Sequence, residues 1–122
     1  MKLSVHTDGF EGYRKRAVAR ARKLDARERP KAEVSITFES ALEMLQVLTP
    51  QRIRLIEMTR TQPHTVTALA LALHRDPKAV RRDIAKLEAV GVLRTRQETN
   101  PGHGRVKIVE PAAASVELRA SF

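Results

Sequence analysis

Apolar and polar positions follow two rhythms along this chain, and the switches between them mark its elements. Phe10, Tyr13, Ala17, Ala21 and Leu24 recur every three or four residues. That spacing draws one narrow stripe along a helix, which must end before Pro30. Period two follows: Val34, Ile36 and Phe38 alternate with Ser35 and Thr37, predicting a short strand over 33–38. Ser40, three residues before Glu43, forms a capping box for a helix expected to turn Leu42, Leu45 and Met44 inward. Thr49-Pro50 opens another helix, with Thr as N-cap and Pro in the first turn, where its missing N–H costs nothing. Ile53, Leu55, Ile56 and Met58 supply its buried face, and it must fail before Pro63.

Beyond Thr65 the punctuation becomes more specific. Thr65 or Thr67 caps a short helix with Leu69, Ala70 and Leu73 inward. After His74 and Arg75, Asp76-Pro77 supplies an N-cap and first-turn pair that restarts the helix, and two helices with so brief a break have helix-turn-helix spacing. The second runs from Pro77 to about Val90 and stops at Gly91, suited to the left-handed position after a helix. At about 100° per residue, Val80, Ile84 and Leu87 share one side, while Lys78, Arg81, Arg82 and Ala85 point away and Lys86 lies at the flank. Residues 92–98 and 105–110 read as two strands joined by Thr99-Asn-Pro-Gly-His-Gly104, a hairpin made basic by Arg94, Arg96, Arg105 and Lys107. A strand over 115–120 is expected to pair with 34–38.

Charge narrows the range of partners. Of 122 residues, 23 are Lys or Arg against 14 Asp or Glu, a formal net charge of +9. Nucleic acid is the first partner such an excess suggests, an anionic membrane the second. Residues 11–31 hold nine basic and three acidic side chains, about two-thirds of the net charge. No cysteine is present, which excludes disulfides, thiolate-bound zinc and thiol redox sensing. The longest apolar stretch, Ala68–Leu73, is too short to span a bilayer. With no apolar stretch of signal-peptide type at the N-terminus, the expected location is the cytoplasm.

Residues 67–109 resemble the winged helix of MarR-like and DeoR-like repressors, most closely through Asp76-Pro-Lys-Ala-Val-Arg-Arg-Asp-Ile-Ala-Lys-Leu-Glu-Ala-Val-Gly-Val-Leu93. A second resemblance, carried by Phe38-Glu-Ser-Ala-Leu-Glu and Leu48-Thr-Pro-Gln-Arg, is to small MarR-like DNA-binding proteins often encoded beside a toxin gene. The fold expected is mainly α with a small β-sheet (α+β), a winged helix-turn-helix with a basic N-terminal helical extension. Its expected parts are a basic arm over 1–33, the winged domain over 34–111 and a C-terminal strand or tail over 112–122. The function expected is a sequence-specific double-stranded DNA-binding regulator, a repressor and a homodimer. The resemblance also implies an alternative, an antitoxin that neutralises a cognate toxin and regulates its own operon. Candidate DNA contacts are Thr67, Lys78, Arg81, Arg82, Lys86, Arg94, Arg96, His103 and Arg105.

Other chemistries find less support. His6, His64, His74 and His103 form no i,i+4 pair, so neither a metal nor another cofactor is expected. Gly102-His-Gly104 lies between strands and opens no helix, which fails the context a phosphate-binding loop needs. No nucleophile elbow or HExxH motif occurs, and no enzyme is expected. Single-stranded RNA readers stack bases on aromatic platforms, and only four aromatics are present, none in a strand-borne pair.

Overall fold

The computed structural model describes residues 2–29, 33–102 and 104–120. Their order is β1 (Lys2–His6), α1 (Gly9–Asp25), β2 (Glu33–Thr37), α2 (Ala41–Val47), α3 (Pro50–Thr61), β3 (His64–Thr65), α4 (Val66–Leu73), α5 (Pro77–Ala89), β4 (Leu93–Asn100), β5 (Gly104–Pro111) and β6 (Ser115–Leu118). Two compact units result, Met1–Gln46 with Ser115–Phe122, and Val47–Ala114. The fold is α+β, with five helices and two three-stranded sheets among the described residues.

In the first unit β1 is the central strand, parallel to β2 on one side and to β6 on the other. Parallel neighbours need a long crossover, and α1 supplies it between β1 and β2. Paired on both edges, β1 is the buried strand, with Leu3, Ser4 and Val5 fully enclosed. The chain enters α1 through Gly9 at φ 64°, a left-handed conformation cheap for glycine, and its N–H donates to the Phe38 carbonyl at 3.0 Å. Gly9 is the one buried residue of α1, which matches the thin apolar stripe.

Three expectations are corrected in this unit. The 115–118 strand pairs with β1 rather than with 34–38, because β1 occupies the place between them. Helix α2 buries Ala41 and Met44 and leaves Leu42 (68% exposed) and Leu45 (51%) outside. A one-residue shift of phase turns a helix by about 100°, and seven residues are too few for hydrophobicity to fix it. Residues 34–46, assigned from sequence to the winged domain, fall in the first unit instead, since β2 joins the parallel sheet. Ser40 caps the helix as expected, its Oγ accepting from the Glu43 N–H at 3.1 Å, while the Glu43 carboxylate reaches one residue past the cap and accepts from the Glu39 N–H at 3.1 Å.

The second unit packs α3, α4 and α5 against an antiparallel sheet ordered β3-β5-β4. Its core is aliphatic: Leu48, Leu55, Leu69, Val80, Leu87, Val92 and Val109 are almost wholly buried. The Thr49 hydroxyl caps α3 by accepting from the Arg52 N–H at 3.4 Å, and Pro50 sits in the first turn. No helix among the described residues is long and apolar enough to cross a membrane. Among those residues no group of three or more potential metal ligands comes together.

Candidate nucleic-acid interface

Local chemistry sets the geometry of α4 and α5. Thr65 Oγ1 accepts from the Ala68 N–H at 3.1 Å and starts α4. The helix ends on His74 at φ 53°, a left-handed residue, a conformation that histidine tolerates better than β-branched residues do. Asp76 then accepts from the Lys78 N–H at 2.9 Å, Pro77 takes the first turn, and α5 begins. Gly91 at φ 89° closes the helix and releases the chain into β4.

Helix α5 has two chemically opposite faces. Val80, Ile84 and Leu87 are buried against the core, whereas Lys78, Arg81, Arg82, Ala85 and Lys86 are exposed. None of those four cations makes an ion pair among the described residues, so their charge faces solvent uncompensated. Thr67, on the first turn of α4, is exposed as well.

The carboxylate of α5 is used internally. Asp83 accepts from Arg52 Nε of α3 at 3.0 Å and from Arg75 Nη2 of the turn at 2.7 Å. The three side chains are only 14–18% exposed. Burial by itself would raise the Asp83 pKa, but the hydrogen bonds from Arg75 and Arg52 outweigh it and hold the carboxyl below its ordinary range. Arg75 Nη1 is buried with no partner among the described residues, beside a cavity of about 510 Å³ that Arg82, Asp83 and Lys86 also line. The sequence reading passed over Arg52 and Arg75 as functional residues. A signal existed for Arg75, an arginine in the break between the two helices, but none for Arg52, 31 positions from Asp83.

The hairpin divides its cations between two faces. The register sets Arg94 opposite Glu110 and Arg96 opposite Ile108, while Gln97 faces Lys107 and Thr99 faces Arg105. Successive side chains alternate across a sheet. Arg94 and Arg96 therefore lie on one face, Arg105 and Lys107 on the other. The second face is the one toward α5, since the side-chain hydroxyl of Thr95, which shares that face, donates to the Glu88 carboxylate. Arg94 and Arg96 share Glu110 at 2.8 and 3.4 Å, and Arg96 also meets Glu98 at 2.8 Å. Among the described residues Arg105 meets only the neutral Gln97, at 3.3 Å. His103 lies outside the described residues.

Residues 47–112, just over half of the chain, match the sequence model of the family described as HVO_A0114. No curated protein matches the chain by sequence. Among solved structures it is similar to Rv0081 of M. tuberculosis, at 23% identity and a TM-score of 0.51, over 59% of this chain and 69% of that one. It is similar to reduced HlyU of Vibrio cholerae at 19% identity and a TM-score of 0.50, over 60% and 73%. ZitR of Lactococcus lactis shares 22% identity at a TM-score of 0.47 over 52% of this chain, which spans only 42% of ZitR. These likenesses concern the fold.

Proposed function

The chain belongs to the HVO_A0114 family, and we propose that it is a sequence-specific double-stranded DNA-binding protein that regulates transcription as a repressor. The observation that carries this reading is α5, a helix anchored by Val80, Ile84 and Leu87 whose outer face bears four cations with no ion pair among the described residues. A helix of that kind fits the major groove: its small Ala85 permits close approach, and Arg forks pair bidentately with guanine. In this reading Arg81 and Arg82 are the base readers. Lys78, Lys86 and Thr67 hold phosphates, and the hairpin grips the flanking backbone through Arg105 and Lys107. One such helix reads only a few base pairs, so two copies on a palindrome about one helical turn apart complete the site.

A gel-shift titration on the DNA upstream of the coding sequence tests this. A dimer that neutralises about 6–10 phosphates loses roughly 10³–10⁵ in affinity between 50 and 200 mM salt. A salt response of less than tenfold, or one protomer per bound duplex by sedimentation, contradicts the reading.

A further inference from the structure

The first unit holds a cavity of about 800 Å³ between α1 and the sheet, lined by His6, Tyr13, Arg16, Arg20, Lys23 and Ser35. Its chemistry is the reverse of what a crossover helix needs to pack on a parallel sheet. Such sheets are ordinarily covered on both faces by apolar contacts. Here the register places Ser4 beside Ser35 and His6 beside Thr37 on the face toward α1, while Leu3, Val34, Val5 and Ile36 take the other. Above that polar face α1 presents Tyr13, Arg16, Arg20 and Lys23, at helical spacings of three, four and three. Ala17 and Ala19 also line the space, but most of the lining side chains carry a polar or charged group, so it is no imperfect core.

Three polar atoms in this region have no partner among the described residues: Ser4 Oγ, His6 Nε2 and Arg16 Nε. His6 is 8% exposed, and its Nε2 is buried without a hydrogen-bond partner. Arg16 spends Nη1 on Asp8 and Nη2 on Thr37, at 2.5 and 2.9 Å, yet its Nε is also buried and unpartnered. Buried polar groups are normally satisfied, and a group able to reach these atoms must be narrow and rich in acceptors. Charge selects among such groups. Arg16, Arg20, Lys23 and Arg29 line the cavity against Glu28 and Glu33, and Asp8 offsets Arg16, which leaves an excess of one positive charge. A phosphate monoester carries about −1.5 to −2 at neutral pH. Tyr13 adds one flat wall, and the two carboxylates suit the hydroxyl donors of a sugar.

We propose that this groove binds a small phosphate monoester of the mononucleotide class. The phosphate is held by Arg20, Lys23 and Arg16 Nε over His6, with the ring against Tyr13. The site lies within the first unit, and its test involves no duplex DNA.

The full-length chain is titrated with adenosine 5′-monophosphate, inorganic phosphate and adenosine by calorimetry, while the His6 imidazole is followed by NMR. The monophosphate is expected to bind with a Kd below about 1 mM, to shift the His6 resonances and to be displaced by inorganic phosphate. Adenosine should not bind. Arg20 and Lys23 are exposed, so the R20A/K23A double variant should keep its circular dichroism and lose at least about tenfold in affinity. Arg60→Ala, on α3, should leave it unchanged. The proposal is overturned if about 10 mM monophosphate gives neither heat nor a His6 shift, if adenosine binds equally well, or if R20A/K23A retains full affinity.

Discussion

Arg75 Nη2 and Asp83 Oδ2 stand 2.7 Å apart, so the turn of the helix-turn-helix is clamped to its second helix. Arg52 takes the other oxygen of the same carboxylate at 3.0 Å and brings α3 into the clamp. Asp83→Asn keeps the shape and removes the charge. Hydrogen bonds to charged groups are worth about 1.5–3 kcal/mol, and a loss of that size is expected at pH 7. The pKa of Asp83 is depressed in the folded state, so its contribution is present above the unfolded value of about 3.9. It is lost as pH falls through the lower folded value. Urea unfolding followed by circular dichroism should show the gap between wild type and D83N at pH 7 and its narrowing below about pH 4. A gap that persists unchanged into acid would assign the loss to packing alone.

Arg81 and Arg82 are exposed on α5, and neither makes a side-chain hydrogen bond or ion pair among the described residues. Truncating either to alanine should leave thermal unfolding unaltered and weaken specific duplex binding by roughly 1–3 kcal/mol where the side chain reads a base. Competition between operator and random DNA separates the roles: a base reader loses discrimination, a phosphate holder loses affinity for both. Unchanged operator affinity in both variants, with the fold intact, removes α5 from the groove.

Most of the second unit could be read before its coordinates because its boundaries are local. Thr49-Pro50, Thr65, Asp76-Pro77 and Gly91 each act within a few residues, and all sit where their side chains or backbone demand. The faces of α5 follow from simple rotation, so its exposed cations were legible too. In the first unit α1, β2, α2 and β6 could be read singly, but β1 and the pairing it organises could not. Strand β1 offers only Leu3 and Val5 as apolar signal, and its parallel partners begin at positions 33 and 115, without a hairpin turn to announce them. The clamp on Asp83 joins residues 31 apart, a distance over which periodicity carries nothing. Likewise, the basic residues of the hairpin could be counted from sequence, but only the register shows that they occupy opposite faces and that Glu110 holds two of them.

Leu87 is fully buried on the inner face of α5. Leu87→Ala leaves a cavity that surrounding aliphatic groups fill only partly, and the expected cost is about 2–5 kcal/mol. Chemical denaturation measures it. Duplex binding by this variant should fall only as far as the folded fraction falls, unlike that of the arginine variants.

Glu110 decides how much charge the outer face of the hairpin offers. Arg94 and Arg96 both spend a guanidinium contact on it, whereas Arg105 and Lys107 on the other face have no carboxylate partner among the described residues. Each cation that reaches a phosphate contributes about 0.9 to the slope of log affinity against log salt. R105A/K107A removes four cations from the dimer and should therefore lower the slope by about 3.6, and R94A/R96A by markedly less. Glu110→Gln releases both arginines, so it should tighten duplex binding and steepen the slope instead. The ion pairs it breaks are solvent-exposed on the arginine side, and pairs of that kind contribute about 1 kcal/mol or less to folding, so the hairpin survives the change. Gel-shift titrations at four salt concentrations measure all three slopes. Equal losses from the two double variants, with no gain from E110Q, would mean that both faces of the hairpin contact the backbone and that the pairing with Glu110 opens on binding.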